Sequence, residues 1–235
     1  MQLSSRLSAV AGMVTRGNRL VDVGCDHGYL PVYLYLNRII PGAIAMDVRK
    51  GPLSRAKEHI AQYGLEKYIE TRLSDGLQAL GEGEGDTLVM AGMGGPLMER
   101  ILTEGAKVRE SFREMVLAPQ SDLPHFRRFI SEIGWETVKE DLILEDGKFY
   151  PIMKVVHGTK KYTEPGSPYT CEERFGELLL KQRHPVLKEY LKRELGICDS
   201  ILEKLENAPS AKEREQEIKE ERQAVLSALE IYESI

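Results

Sequence analysis

The chain has 235 residues, 42% of them hydrophobic and 29% charged, enough for one full domain with its own core and a smaller second unit. A formal net charge of −5 excludes a uniformly basic nucleic-acid binder, so any such contact has to come from a local patch. Three cysteines, Cys25, Cys171 and Cys198, form no CxxC pair and fit reduced thiols rather than a disulfide framework or a metal site; with no signal-peptide core and no run of membrane-spanning length, a cytoplasmic protein is expected.

Leu3, Leu7, Val10 and Val14 fall three or four apart and predict a short amphipathic helix, with Arg6 on or beside its polar face. An apolar strand, Arg19 to Val23, then turns sharply at Gly24, and beyond Gly28 the residues Tyr29, Val32, Tyr33 and Leu36 repeat at helical spacing. Strand, tight loop and helix together offer free backbone N–H groups at a helix N-terminus and a glycine backbone that a ligand can approach closely. Pro41-Gly42 makes a turn before a short buried strand, Ala43 to Asp47, and a helix runs from about Gly51 to Tyr63. Tyr68 to Ser74 reads as a third strand ending at Asp75-Gly76. Asp86 to Ala91 reads as a fourth, entering Gly92-Met93-Gly94-Gly95, with a helix from Pro96. Met115 to Ala118 gives a fifth strand, Leu123 to Ile133 a helix, and Trp135 to Leu144 with Phe149 to Val156 a hairpin around Glu145-Asp146-Gly147-Lys148.

This β/α alternation, closed by a hairpin, predicts an α/β domain: a seven-stranded, mostly parallel sheet with helices on both faces. Ligands bind such sheets at the carboxyl ends of the strands near the topological switch point, where Gly24, Asp47, Asp75 and Gly92 all fall. The polar stretch Gly158 to Ser167 reads as a connector, which puts a boundary near residue 160, between a domain of residues 1–159 and a helical unit of residues 160–235. Thr170 with Glu173 and Ser210 with Glu213 match capping boxes and predict two long helices. Leu187, Leu191, Leu195, Cys198, Leu202 and Leu205 in the first, and Ile218, Val225, Leu229 and Tyr232 in the second, keep a three-four rhythm. With Asn207-Ala208-Pro209 between them, they are expected to fold back as an antiparallel coiled-coil hairpin.

Two ligand classes compete for the glycine loop. A dinucleotide wants G-x-G-x-x-G, whereas this chain has Gly24-x-Asp26-x-Gly28. A carboxylate at position 26 repels pyrophosphate and suits the ammonium of a methionine moiety, so the charge logic favours S-adenosylmethionine, with S-adenosylhomocysteine as product. Asp47 can accept both hydrogen bonds of a ribose diol, Asp75 can accept from an adenine N6 amine, and Val48 offers an apolar face to the ring. The expected cofactor contacts run over Gly24, Cys25, Asp26, His27 and Gly28, then Asp47 and Val48, Asp75 and Gly76, and Ala91, Gly92 and Met93. No metal is expected. Each acid also has a plainer use, Asp26 as a helix cap and Asp47 or Asp75 as a strand-ending turn residue.

The combination VDVGCDHGYLP, AMDV, SDGL, AGMGG and LAPQSD, followed by a helical hairpin, resembles the bacterial tRNA (adenine(22)-N1)-methyltransferase family, TrmK, over essentially the whole chain. The resemblance implies a Rossmann-like class I methyltransferase fold and methyl transfer from S-adenosylmethionine to N1 of adenine 22 in tRNA. Ala91-Gly92-Met93-Gly94-Gly95 stands where methyltransferases of exocyclic amines carry Asn/Asp-Pro-Pro-Tyr/Phe. N1 of adenine already has an in-plane lone pair, so no strong base has to precede transfer and alignment carries the catalysis. Glycines at 92, 94 and 95 would let the base approach, with Met93 packing beside it; Asp26 and Tyr29 are the candidate catalytic side chains together with Met93. Arg6, Lys181, Arg183, Lys188, Lys192 and Arg193 are the candidate tRNA contacts, with His184 in the same patch and Arg16 as an alternative. Glu213, Glu215, Glu217, Glu220 and Glu221 on the second helix allow the patch to be half of an inter-helix charge ladder instead. A monomer is expected. The rival readings are a small-molecule methyltransferase dimerising through the hairpin and a non-enzymatic sensor of adenosyl ligands.

Overall fold

The computed structural model describes residues 1–205 and 212–233, which form two compact units, Met1–Ser167 and Pro168–Ile235. In the first, β1 (Leu20–Val23), β2 (Ala43–Asp47), β3 (Ile69–Leu73), β4 (Thr87–Ala91), β5 (Glu114–Ala118), β6 (Trp135–Glu145) and β7 (Lys148–His157) make one seven-stranded sheet in the order β3-β2-β1-β4-β5-β7-β6. The first five strands pair in parallel, and β7 runs antiparallel to both β5 and β6. β1, β2 and β5 are buried at every position, which is why they read as continuous apolar runs rather than alternating ones.

Helices α1 (Ser5–Ala11), α2 (Tyr29–Leu36), α3 (Lys50–Gln62), α4 (Gly95–Glu104), α5 (Ala106–Arg109) and α6 (Leu123–Glu132) complete the unit. Leu20 packs with Val10, Leu34 and Ile60 in one apolar cluster, while its neighbour Val21 packs with Met98, Leu102 and Phe126 in the other. The strand period of two thus sends adjacent residues to opposite faces of the sheet. α1 is shorter than the apolar spacing implied: it ends before Gly12, and Met13 and Val14 are buried outside the helix. Asp146 and Gly147 both adopt left-handed backbone, φ 49° and 72°, which is what a two-residue hairpin turn between Glu145 and Lys148 requires.

The connector stays with the first unit: the Lys161 N–H donates to the Ser131 carbonyl at 3.1 Å and Arg128 Nη1 to the Ser167 carbonyl at 2.9 Å. Beyond it lie α7 (Cys171–Phe175), α8 (Glu177–Lys181), α9 (Pro185–Leu205) and α10 (Lys212–Glu233). Thr170 and Glu173 form a complete capping box, yet the helix they start lasts little more than a turn, because Gly176 breaks it at φ 92°. The first long helix therefore begins at Pro185, not at Thr170. α9 and α10 run antiparallel: Arg222 Nε meets Asp199 at 2.6 Å, and Tyr232, near the end of α10, donates to the carbonyl of His184, just before α9. The expected turn Asn207-Ala208-Pro209 and the Ser210 cap lie outside the described residues. Among those described, no helix is long and apolar enough to cross a membrane, and no group of three or more His, Cys, Asp or Glu could hold a metal ion.

Candidate functional site

β1 has β2 on one side and β4 on the other, so the chain leaves its carboxyl end at the topological switch point. The loop that follows is held to β2 by Gly24 N–H and Cys25 N–H, which donate to the Met46 carbonyl at 2.8 and 3.0 Å. It is wound by left-handed residues at Gly24, Asp26 and Gly28. A Cβ on Gly24 would sit 2.8 Å from Met93 Cε, whereas one on Gly28 would touch Ala56 of α3 at 3.4 Å. Left-handed backbone, φ 80° and 65°, is what asks for glycine at both positions; at Gly24 the tip of Met93 also lies close.

A cavity of about 1020 Å³ opens over these strand ends. It is lined by every expected cofactor contact except Gly28, and by Tyr29 and Arg6 as well. Asp47 is buried at the end of β2 and accepts the Arg49 N–H at 2.8 Å. The carboxylate of Asp26 is already engaged, by Arg55 Nη2 at 3.0 Å; that of Asp75 is held by Arg100 Nη2 at 2.9 Å. Val48 is exposed. Tyr29 stacks on His27, with centroids 5.2 Å apart, and meets His59 edge-on at 4.9 Å; His59 Nδ1 in turn lies 3.1 Å from the His27 carbonyl oxygen.

Asp22 is a lining residue that the sequence reading passed over. It sits within β1, and burial, then the charge of Asp47, pushes its carboxyl up to about 7. Its signal was an acid inside an otherwise apolar strand. Burial, followed by the charges of Asp22 and Asp47, also pushes the Cys25 thiol up, which makes it an unreactive wall rather than a nucleophile.

The glycines after β4 divide by role. A Cβ on Gly94 would meet Ser121 Oγ at 2.8 Å, and one on Gly95 the Ser121 carbonyl at 2.6 Å. These two are small because the loop after β5 packs against them, not to admit a base. Gly92, at φ 90°, lines the cavity as Gly94 also does, and has open space beside it, with Arg6 Nη1 and Gln120 Nε2 each 4.0 Å from its Cβ position. Arg6 lies over the Tyr150 ring at 4.8 Å, and its buried Nε has no hydrogen-bond partner among the described residues. Arg16 is turned to the Arg38 carbonyl, 2.7 Å away, and does not line the cavity.

The basic patch of the second unit is not one helix face. Lys181 belongs to α8 and pairs with Glu177, and Arg183 and His184 lie in the turn before α9. Lys188, on α9, lies over the Tyr232 ring at 5.7 Å, and Lys192 and Arg193 are exposed further along the same helix. The acidic side of α10 makes pairs within its own helix, Arg214 with Glu217 and Lys219 with Glu215, and reaches α9 through Arg222 and Asp199.

Comparison with known proteins agrees with this geometry. Residues 3–153 match the methyltransferase domain family. The chain is 31% identical to the tRNA (adenine(22)-N(1))-methyltransferase of Bacillus subtilis (strain 168), over 94% of this chain and 92% of that protein. The crystal structure of the B. subtilis m1A22 tRNA methyltransferase TrmK matches with a TM-score of 0.86 at 30% identity, covering 97% of this chain and 98% of that one. A Streptococcus pneumoniae protein, described as a candidate tRNA (m1A22) methyltransferase and solved in complex with S-adenosyl-L-methionine, matches with a TM-score of 0.86 at 32% identity, over 97% of this chain and all of that one. The chain belongs to the tRNA (adenine(22)-N1)-methyltransferase family.

Proposed function

We propose that this protein transfers the methyl group of S-adenosylmethionine to N1 of adenine 22 in tRNA. The observation that carries this reading is a cavity at the β1/β4 switch point with a glycine loop, a buried strand-end acid and an open glycine around it, in a chain alike over nearly its whole length to m1A22 methyltransferases. The residues present fit the cofactor. Gly24 lets it approach the backbone, Asp47 suits the ribose diol, and Asp75 with Val48 suits the adenine. Asp22 and Asp26 place carboxylates around the cationic amino-acid end.

When bound, the cofactor supplies a methyl group carried on positively charged sulfur. The protein's own contribution is alignment: Met93, lying across Gly24, packs beside the target ring, and Gly92 leaves room for it. Asp26 and Tyr29, at the loop, favour the cationic methylated base by charge and by stacking. Arg6 from the first unit and Lys188, Lys192 and Arg193 from α9 are assigned to tRNA phosphates; Lys181, already paired with Glu177, is a weaker candidate. In this reading residues 1–167 carry the chemistry, the helical unit helps place tRNA, and the protein acts as a monomer in the cytoplasm.

The test is nucleoside mass spectrometry of unmodified tRNA incubated with the protein and S-adenosylmethionine. 1-Methyladenosine is expected with adenine at position 22 and is lost when that base is changed to guanine. Methylation persisting on the changed tRNA would overturn the site assignment.

A further inference from the structure

A methyltransferase acting on N1 of adenine has to recognise the base without covering N1, which leaves the N6 amine and N7 as the edge to read. The Gly92 rim offers a side chain for that. The loop after β5 is clamped to the loop after β4 from both sides: Gln120 N–H donates to the Met93 carbonyl at 3.0 Å, and Gly95 N–H to the Ser121 carbonyl at 3.3 Å. Gly94 and Gly95 let the two loops come this close, since a Cβ on either would strike Ser121. Residue 120 is therefore fixed relative to Met93 by the backbone, and its exposed side chain reaches Gly92, with Nε2 at 4.0 Å from the Cβ position. Across the same glycine stands Arg6, backed by the Tyr150 ring and bonded through its own N–H to Glu145 at 3.3 Å. Gln120 does not itself line the cofactor cavity; its side chain stands beside Gly92, which does.

We propose that Gln120 determines specificity for adenine: its amide oxygen accepts from the N6 amine and its amide nitrogen donates to N7, leaving N1 turned toward the methyl donor. A carboxamide is the side chain whose adjacent acceptor and donor match those two atoms, and guanine, with a carbonyl at position 6, presents the wrong partner to the oxygen. The inference rests on the tRNA adenine-N1 reading and adds the residue that selects the base.

The experiment measures kcat/KM with full-length protein on tRNA carrying either adenine or 7-deazaadenine at position 22, for wild type, Gln120→Ala and Gln120→Glu. The 7-deaza base keeps N1 and N6 and lacks only the N7 acceptor. Wild type is expected to lose roughly tenfold or more on the 7-deaza substrate. Gln120→Ala is expected to fall by a similar factor on normal tRNA, with no further loss on the 7-deaza tRNA and unchanged cofactor affinity by calorimetry. Gln120→Glu, repelled by N7 and not by a C–H, is expected to prefer the 7-deaza substrate. The proposal is overturned by wild type indifferent to the deaza substitution, a result that needs no variant, or by an equal deaza penalty in wild type and Gln120→Ala. Absence of methylation by wild type on normal tRNA would instead sink the functional reading.

Discussion

Met93 lies across Gly24, so close that a Cβ on the glycine would sit 2.8 Å from the methionine Cε. The side chain after β4 thereby forms a lid on the loop after β1, joining two strand ends from either side of the switch point. Gly24 is doubly constrained, by this contact and by its left-handed backbone at φ 80°. Gly24→Ala should weaken S-adenosylmethionine binding by roughly tenfold or more, since the backbone strain alone costs about 1–2 kcal/mol. Because Met93 is flexible at its tip, Gly24→Ala combined with Met93→Ala should recover part of the loss. Calorimetric titration of both variants decides, and wild-type affinity in Gly24→Ala would show that the cofactor does not use this loop.

Asp47→Ala should weaken cofactor affinity by about 10- to 100-fold, the range for hydrogen bonds to a charged group worth about 1.5–3 kcal/mol. The acid is buried at the end of β2 with its backbone fixed by pairing to β3, so the effect should fall on binding rather than on folding. Unchanged affinity would place the ribose elsewhere.

Asp22 gives stability a pH dependence whose sign follows from its raised pKa. The unfolded chain loses this proton at about pH 4, and the folded chain holds it up to about 7. Between those values the folded state binds more protons, so stability falls as pH rises through the window and is level above it. Asp22→Asn carries no such charge and should melt at a higher temperature than wild type at pH 8, with the gap closing toward pH 4. Melting curves that stay parallel from pH 4 to 8 would remove Asp22 as the cause.

Away from the site, Glu114 gathers the Thr15 N–H and hydroxyl, the Thr87 hydroxyl and the Lys154 ammonium within 2.9 Å. It pins the segment after α1 to β4, β5 and β7. Glu114→Ala should cost about 3 kcal/mol in urea unfolding, because it leaves a mostly buried lysine with the Met13 carbonyl and the Thr15 hydroxyl but no countercharge. Adding Lys154→Met should restore much of that loss; a double variant no better than the single would mean that the hydroxyl bonds, not the ion pair, matter.

Much of the first unit was legible because its signals are local. The run Leu20–Val23 is apolar because both faces of the strand are covered, and Gly24, Asp47 and Asp75 stop strands within a few residues of the apolar positions they follow. The second unit was legible in part. Thr170 and Glu173 do make a capping box, but a capping box states where a helix starts and not how far it runs, and Gly176 ends it.

By itself the sequence determined the alternation of strands and helices, the parallel sheet, and the placing of a glycine loop and two acids at strand carboxyl ends. Each follows from hydrophobic period and turn chemistry over a few neighbouring residues. Only the tertiary structure decided that Asp26 meets Arg55, that Gly94 and Gly95 are packed against Ser121, that Asp22 lines the cavity, and that Gln120 comes beside Gly92. These are relations between residues far apart in the chain, set by which strand lies beside which, and no local pattern carries that order.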